Sequence, residues 1–435
     1  MRFVSPVALG LMLAVAGTSL GVAAPAALAK NEAPKLKLTP AFAKASDQAI
    51  MALQKKDVEG AKAALAAAEP LAATNEDKFR YFSIMLSLSS LANDGAMQAK
   101  AISGMLDSGL VPAEQQGQLN SVAASQDVAA KNYDSAIARA QKAIALGYRV
   151  PDNNVTIAQA YFGKAGSSKL FQEPARGFVS QGLAAFKSAI VGMKAAGQAA
   201  PAQWYQVAIA KADAADLPEL LDWARMSYDS APTTENFRTL LGSFLASPAG
   251  LGSQNSASGL CSREKLDVMR LMSAAGAMGD QRDYLAYARC AADTGMLGEV
   301  TSALNAGISA GKLTSAQTAT QFTKEKAEIP ADKAGLTRAE ADARATKNFK
   351  SIKGTANAYL SYGNYAKAAD LFRLSLSMPN VDANDLDEIN TRLGIALSLS
   401  GDTAGAKASF AKVTNGTRGK IARLWELWLA SKPAA

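Results

Sequence analysis

The chain has 435 residues, 46 Lys and Arg against 38 Asp and Glu for a formal charge of +8, and no histidine. The absence of imidazole excludes Ser-His-Asp and Cys-His nucleophilic sites and histidine-ligated zinc, and two cysteines are too few for a four-thiolate metal centre. The cationic excess is spread along the chain, with no basic helix carrying interleaved aromatics, so nucleic acid is not an expected partner and no cofactor is expected.

Residues 1–29 read as a cleaved signal peptide. Arg2 precedes a mostly apolar run from Val7 to Ala24, and Ala27-Leu28-Ala29 offers the small-x-small pattern of a signal-peptidase site. A membrane anchor is the alternative, but Gly10, Gly17, Thr18, Ser19 and Gly21 dilute the run, and no cysteine follows it to carry a lipid. Beyond the leader no uninterrupted apolar segment approaches the roughly 20 residues that span a bilayer. The expected location is the bacterial periplasm, with the mature chain soluble or associated with the envelope, and the oligomeric state is left open.

From residue 30 the pattern is helical. Ala49, Val58, Ala61 and Leu65 recur at helical spacing, and a helix through Leu119, Val122 and Ala123 meets a Lys131-Asn132-Tyr133 turn and a second helix through Ala136, Ala140 and Ala143. Gly163 to Pro174 reads as a loop ahead of a helix through Phe178, Leu183, Phe186 and Ile190. Trp204, Val207 and Ala208, then Leu217, Leu220 and Ala224 up to Pro232, fit a complete helical hairpin. The Ser247 to Leu260 segment is Gly- and Ser-rich. Another hairpin has Tyr287-Ala288 at its crossing, Gly295 at its turn, and Leu297, Val300 and Leu304 facing back.

Lys312 to Lys347 is charged, Ala-rich and broken by Pro330. It reads as one or two exposed helices connecting two arrays, or as a long hairpin inside one continuous array. Two hairpins follow from Ser351 to Val413. Ile352, Ala356 and Tyr359 lead to a Gly363-Asn364 break and then Tyr365, Ala368, Phe372 and Ser375; Leu393-Gly394 and Leu397 lead to a Gly401 turn and then Ala406 and Phe410. Small residues at each crossing allow close helix approach, and the aromatic fills the gap to the next hairpin.

The order of small, aromatic and turn residues over 351–413 resembles the tetratricopeptide repeat, as do 204–232 and 284–307 to a lesser degree. The resemblance implies an all-α, right-handed solenoid of degenerate tetratricopeptide-like hairpins. On that reading the organisation is a leader (1–29), an N-terminal degenerate array (30–311), a charged helical connector (312–350), and a C-terminal pair of hairpins with a capping helix (351–435). The cap is the apolar stretch Ile421 to Ala430, whose Trp425 and Trp428 stand three apart. A partner or dimer contact through those tryptophans is the alternative.

Arrays of this family bind extended peptides or proteins along the concave face. The resemblance places Lys353 and Asn357 where one subfamily grips a peptide carboxylate, with Arg392 and Lys420 projecting the same way, Lys350 one turn earlier, and Arg282 and Arg289 at comparable positions upstream. Arg392 stands where that subfamily has Asn. Cys261 and Cys290 read as a disulfide or as two unpaired thiols. The expected function is a noncatalytic scaffold or adaptor of the bacterial cell envelope that binds a peptide or protein. A cell-wall or polysaccharide assembly factor is one alternative. A helical glycan hydrolase using the acidic cluster Asp382, Asp385, Asp387 and Glu388 is another, although acids at a helix start also favour the helix dipole.

Overall fold

A computed structural model describes residues 36–247, 249–252, 261–414 and 416–432. The leader assignment lies outside these residues, as does most of the Gly- and Ser-rich loop. All regular structure among the described residues is helical. The chain divides into two compact units, up to Ala160 and from Tyr161.

The first unit contains α1 (Pro40–Gln54), α2 (Val58–Ala68), α3 (Asn75–Ala92), α4 (Gly95–Asp107), α5 (Ala113–Ala129) and α6 (Tyr133–Ala145), which pair consecutively as three hairpins. The division itself falls within α7 (Val150–Ala165). Local chemistry sets the helix starts. Pro40 opens α1, where its missing N–H is no loss. Thr74 and Asp77 form a capping box at α3. Asp77 also accepts from the backbone and hydroxyl of Thr39, both at 2.9 Å, which ties the start of α1 to α3. Burial pushes the Asp77 carboxyl up, but the hydrogen bonds from Thr39 and Thr74 outweigh it and hold the group below its ordinary value. Between the helices lies an apolar core that includes Phe42, Leu65, Leu88, Ile102 and Leu119.

The second unit contains α8 (Ala175–Ala195), α9 (Ala202–Ala214), α10 (Leu220–Ser230), α11 (Thr234–Ala246), α12 (Arg263–Ala274), α13 (Gln281–Asp293) and α14 (Leu297–Ser309). It continues through α15 (Ser315–Ala319), α16 (Thr323–Thr346), α17 (Phe349–Ser361), α18 (Tyr365–Leu376), α19 (Ala383–Ser400), α20 (Thr403–Phe410) and α21 (Gly416–Ser431). The turns expected at Gly295, Gly363 and Gly401 adopt left-handed φ values of +75°, +74° and +92°, which glycine adopts without the steric penalty that other residues incur. At the α19/α20 crossing, a Cβ on Gly394 would lie 2.5 Å from the Phe410 ring, so the small residue is what admits the aromatic.

The connector segment differs from expectation. Helix α16 runs through Pro330 without a break, and residues 312–350 belong to the second unit rather than separating two arrays. Leu336 and Ala343 join the apolar core of that unit. The rest of α16 is held by polar contacts. Glu340 accepts from Tyr359 and Lys367, both at 2.7 Å, and from Arg344, while Asp332 accepts from Tyr362 at 2.6 Å. The Lys367 and Tyr359 hydrogen bonds outweigh burial and hold the Glu340 carboxyl down at about 2.

Helix α21 does more than cover its neighbour. It packs on α19 and α20 and also returns to α12. Trp425 is fully buried, stacks on Phe410, meets Trp428 edge-on, and donates its Nε1–H to the carbonyl of Asp267 at 3.3 Å. Both tryptophans are therefore buried within the unit and present no free docking face.

Candidate functional site

The residues predicted to grip a peptide end converge, but inside the protein. Lys353 and Asn357 lie on α17 and Arg392 on α19, with exposures of 8%, 4% and 2%. Arg392 donates to Glu388, to Asn357 Oδ1 at 3.0 Å and to Asp267 Oδ1 at 3.3 Å. Lys353 donates to Asp385 Oδ1 at 2.5 Å and Glu388 Oε2 at 2.8 Å.

The cluster extends through Arg270, which donates to Asp267 Oδ1 and to Glu299 Oε1, each at 2.6 Å. Glu299 also accepts from the Tyr287 hydroxyl at 3.1 Å. At the rim, Arg418 of α21 bridges Glu264 and Asp267, and Arg263 reaches Glu388. Five cations (Arg263, Arg270, Lys353, Arg392, Arg418) thus meet five carboxylates (Glu264, Asp267, Glu299, Asp385, Glu388). They join α12, α14, α17, α19 and α21.

The electrostatics suit a permanent strut. Burial pushes the Glu388 carboxyl up, yet Arg392, Lys353 and Arg418 override it and hold the group at about 2. Burial and the adjacent Glu299 drive the Tyr287 phenol well above its ordinary value, so it stays a donor. Lys353 Nζ and the Nε and Nη1 of Arg392 already donate to internal acceptors, and both side chains are buried. The peptide-end clamp is corrected on this ground: these residues hold helices together. Asp382, from the acidic cluster, caps α19 by accepting from Asp385 N at 2.8 Å, while Asp385 and Glu388 are the partners of Lys353.

The remaining predicted donors are engaged locally. Exposed Arg282 pairs with Asp280, the N-cap residue of its own helix. Arg289 lies over the Phe322 ring at 5.2 Å and Lys350 over Phe349 at 5.7 Å. Lys420 donates to the carbonyl of Ala249. Cys261 and Cys290 are joined as a disulfide, which connects the segment two residues before α12 to α13. Cys261 N also donates to Asp293 Oδ2 of α13 at 3.1 Å.

An open groove lies elsewhere in the second unit, between α9, α11 and α13, the first helices of three successive hairpins. Its cavity of about 520 Å³ is lined by Gln206, Ile209, Ala210 and Asp213 of α9, by a stripe of α11 from Glu235 to Ala246, and by Asp283 of α13. The α9 residues follow i, i+3, i+4, i+7 spacing, on a stripe flanking the buried face of Tyr205, Ala208 and Ala212. On α11, Phe237, Leu240, Leu241 and Phe244 are buried while Glu235, Arg238, Thr239 and Gly242 turn to the groove. Gly242 has no atom within 4 Å of where a Cβ would stand. Arg238 crosses from α11 to Asp283 at 3.3 Å, and its guanidinium occupies the space a side chain on Gly279 would need.

Sequence reasoning identified the helices but missed this groove. The available signal was the second, polar stripe on each helix and the glycine in the interior of α11. A smaller cavity of about 290 Å³ in the first unit includes Gln116, Asn120 and Arg139, but Arg139 is already held by Asp127 and Ser103.

No family model matches the chain, and no curated protein matches it. Among solved structures, the human IFIT1 dimer with m7Gppp-AAAA is similar at 12% identity, over 88% of this chain and 80% of its own, with a TM-score of 0.22. That overlap carries no argument about function. The all-α fold of helical hairpins rests on the helices and their consecutive pairing, and no helix among the described residues is long and apolar enough to cross a membrane.

Proposed function

We propose that the chain is an exported, noncatalytic scaffold of the tetratricopeptide type, acting in the bacterial cell envelope by holding an extended segment of a partner protein between α9, α11 and α13. The observation that carries this reading is the groove itself. Helices α9 and α11 line one open channel along successive turns, with Asp283 of α13 at its edge, and a half-buried helix glycine at its wall, Gly242, gives up about 1 kcal/mol of helix propensity relative to alanine. That sacrifice is understandable where a partner backbone approaches closely. The charged cluster at α12, α17 and α19 supplies rigidity to the unit and leaves recognition to the groove.

The test is site-specific photocrosslinking in cells exporting the full chain, with the crosslinker at Thr239 in the groove and, as a control, at exposed Lys333 on α16. The expected result is a reproducible protein adduct from Thr239 that is absent from Lys333 and lost when Gly242→Leu is added. The same adducts from both positions, or adducts to glycan alone, would overturn the proposal. Export is checked by periplasmic release and N-terminal sequencing, with Lys30 expected as the first residue.

A further inference from the structure

We infer that the segment received by this groove is cationic, an extended stretch bearing Lys or Arg side chains; this rests on the groove reading above. The groove's own cation is spent. Arg238 is paired with Asp283 and braced over the backbone at Gly279. Lys211, the basic residue nearest the groove on α9, turns away to lie 5.5 Å from the Phe162 ring centroid.

Two carboxylates are left over. Asp213 in the last turn of α9 and Glu235 in the first turn of α11 are exposed, and neither side chain has an ionic or hydrogen-bonding partner among the described residues. The partial negative charge of the α9 C-terminus adds to that of Asp213, making that end the stronger attractor. In the same groove, Ile209, Ala210 and Ala246 offer apolar surface for the methylene stems of long basic side chains. The bare backbone at Gly242 leaves room for the segment's main chain. The sign is opposite to that of the chain as a whole, whose formal charge is +8, so a cationic segment is disfavoured over the general surface and favoured here.

The experiment measures anisotropy of fluorescein-labelled peptides of alternating Gly and Lys, Gly and Glu, or Gly and Gln, titrated with the full mature chain. The Lys peptide is expected to bind, the Glu peptide not to bind, and affinity to fall steeply as rising salt shortens the Debye length from about 30 Å to about 3 Å. Two exposed ion pairs contribute at most about 1 kcal/mol each, so the double variant Asp213→Asn, Glu235→Gln should weaken binding by up to about thirtyfold. Gly242→Leu should abolish binding, with Gly242→Ala as the folding control.

If Gln and Lys peptides bind equally and the charge variant changes nothing while Gly242→Leu still abolishes binding, the cationic assignment falls and the groove survives. If Gly242→Leu leaves Lys-peptide binding intact, the groove reading falls and the assignment with it. Failure of the Lys peptide to bind at low salt also overturns the assignment.

Discussion

Replacing Arg392 with methionine, which keeps a long side chain but removes the charge, tests whether the buried cluster is a strut. Arg392 is 2% exposed and its guanidinium serves Glu388, Asp267 and Asn357 at once. Removing one member of a buried ion pair costs about 3–5 kcal/mol. Asp267 retains Arg270 and Arg418, and Glu388 retains Lys353 and Arg263, so the lower end, about 3 kcal/mol, is expected. At roughly 2–4 °C per kcal/mol for a domain of this size, Tm should fall by about 6–12 °C. Thermal melts by circular dichroism, paired with tryptophan fluorescence from the adjacent Trp425, measure it.

The pH dependence carries a sign. Glu388 ordinarily titrates at 4.5 and is held at about 2 when folded, so its stabilisation is present above about 4.5 and is lost as pH falls toward about 2. Without Arg392 that depression shrinks, and the gap between wild type and variant should narrow over this window. A Tm within about 2 °C of wild type at neutral pH would refute the strut. Stability unchanged with loss of partner binding would restore Arg392 to a recognition role.

Two glycines should respond in opposite directions. Gly242→Ala places a methyl in open space on α11 and should stabilise the unit by about 0.5–1 kcal/mol; Gly394→Ala drives a methyl into the Phe410 ring and should cost about 1–3 kcal/mol. Urea midpoints of both variants measured together check the contrast. The disulfide should also show in stability: Cys261 and Cys290 are 29 residues apart, and loss of that loop closure is worth about 3–4 kcal/mol in the chain-entropy treatment. The Cys261→Ser, Cys290→Ser chain should melt lower by a corresponding amount, and a melt insensitive to the substitution would remove the bridge from the stability argument.

The elements most legible in the sequence were those set by local rules. Gly295, Gly363 and Gly401 marked turns because left-handed backbone selects glycine, and Gly394 with Phe410 marked a crossing because steric exclusion acts between consecutive helices. What could not be read were contacts between distant segments. Lys353 and Asn357, one turn apart on α17, and Arg392 on α19 all point inward, but whether an inward face meets a ligand or another helix depends on α12 and α21. Nothing near residues 353–392 encodes Asp267 or Arg418 as neighbours. Pro330 misled for a related reason: a local breaker was outweighed by Glu340 and Asp332, whose partners Tyr359, Tyr362 and Lys367 lie in the next hairpin. The groove escaped notice because polar stripes on α9 and α11 look like ordinary solvated faces until their relative placement is known.

The seam between α12 and α21 alters how this unit must be made. In an open array each hairpin is stabilised by its neighbour, so early hairpins can settle while later ones are still being synthesised. Here the carbonyl of Asp267 receives its bond from a tryptophan 158 residues later, and the carboxylate of Asp267 depends on Arg392 and Arg418 for much of its charge compensation. Until α21 arrives, α12 carries buried acids whose compensation is incomplete. Completion of the second unit is therefore a long-range, late event that waits for its last helix, whereas the first unit has a core of its own.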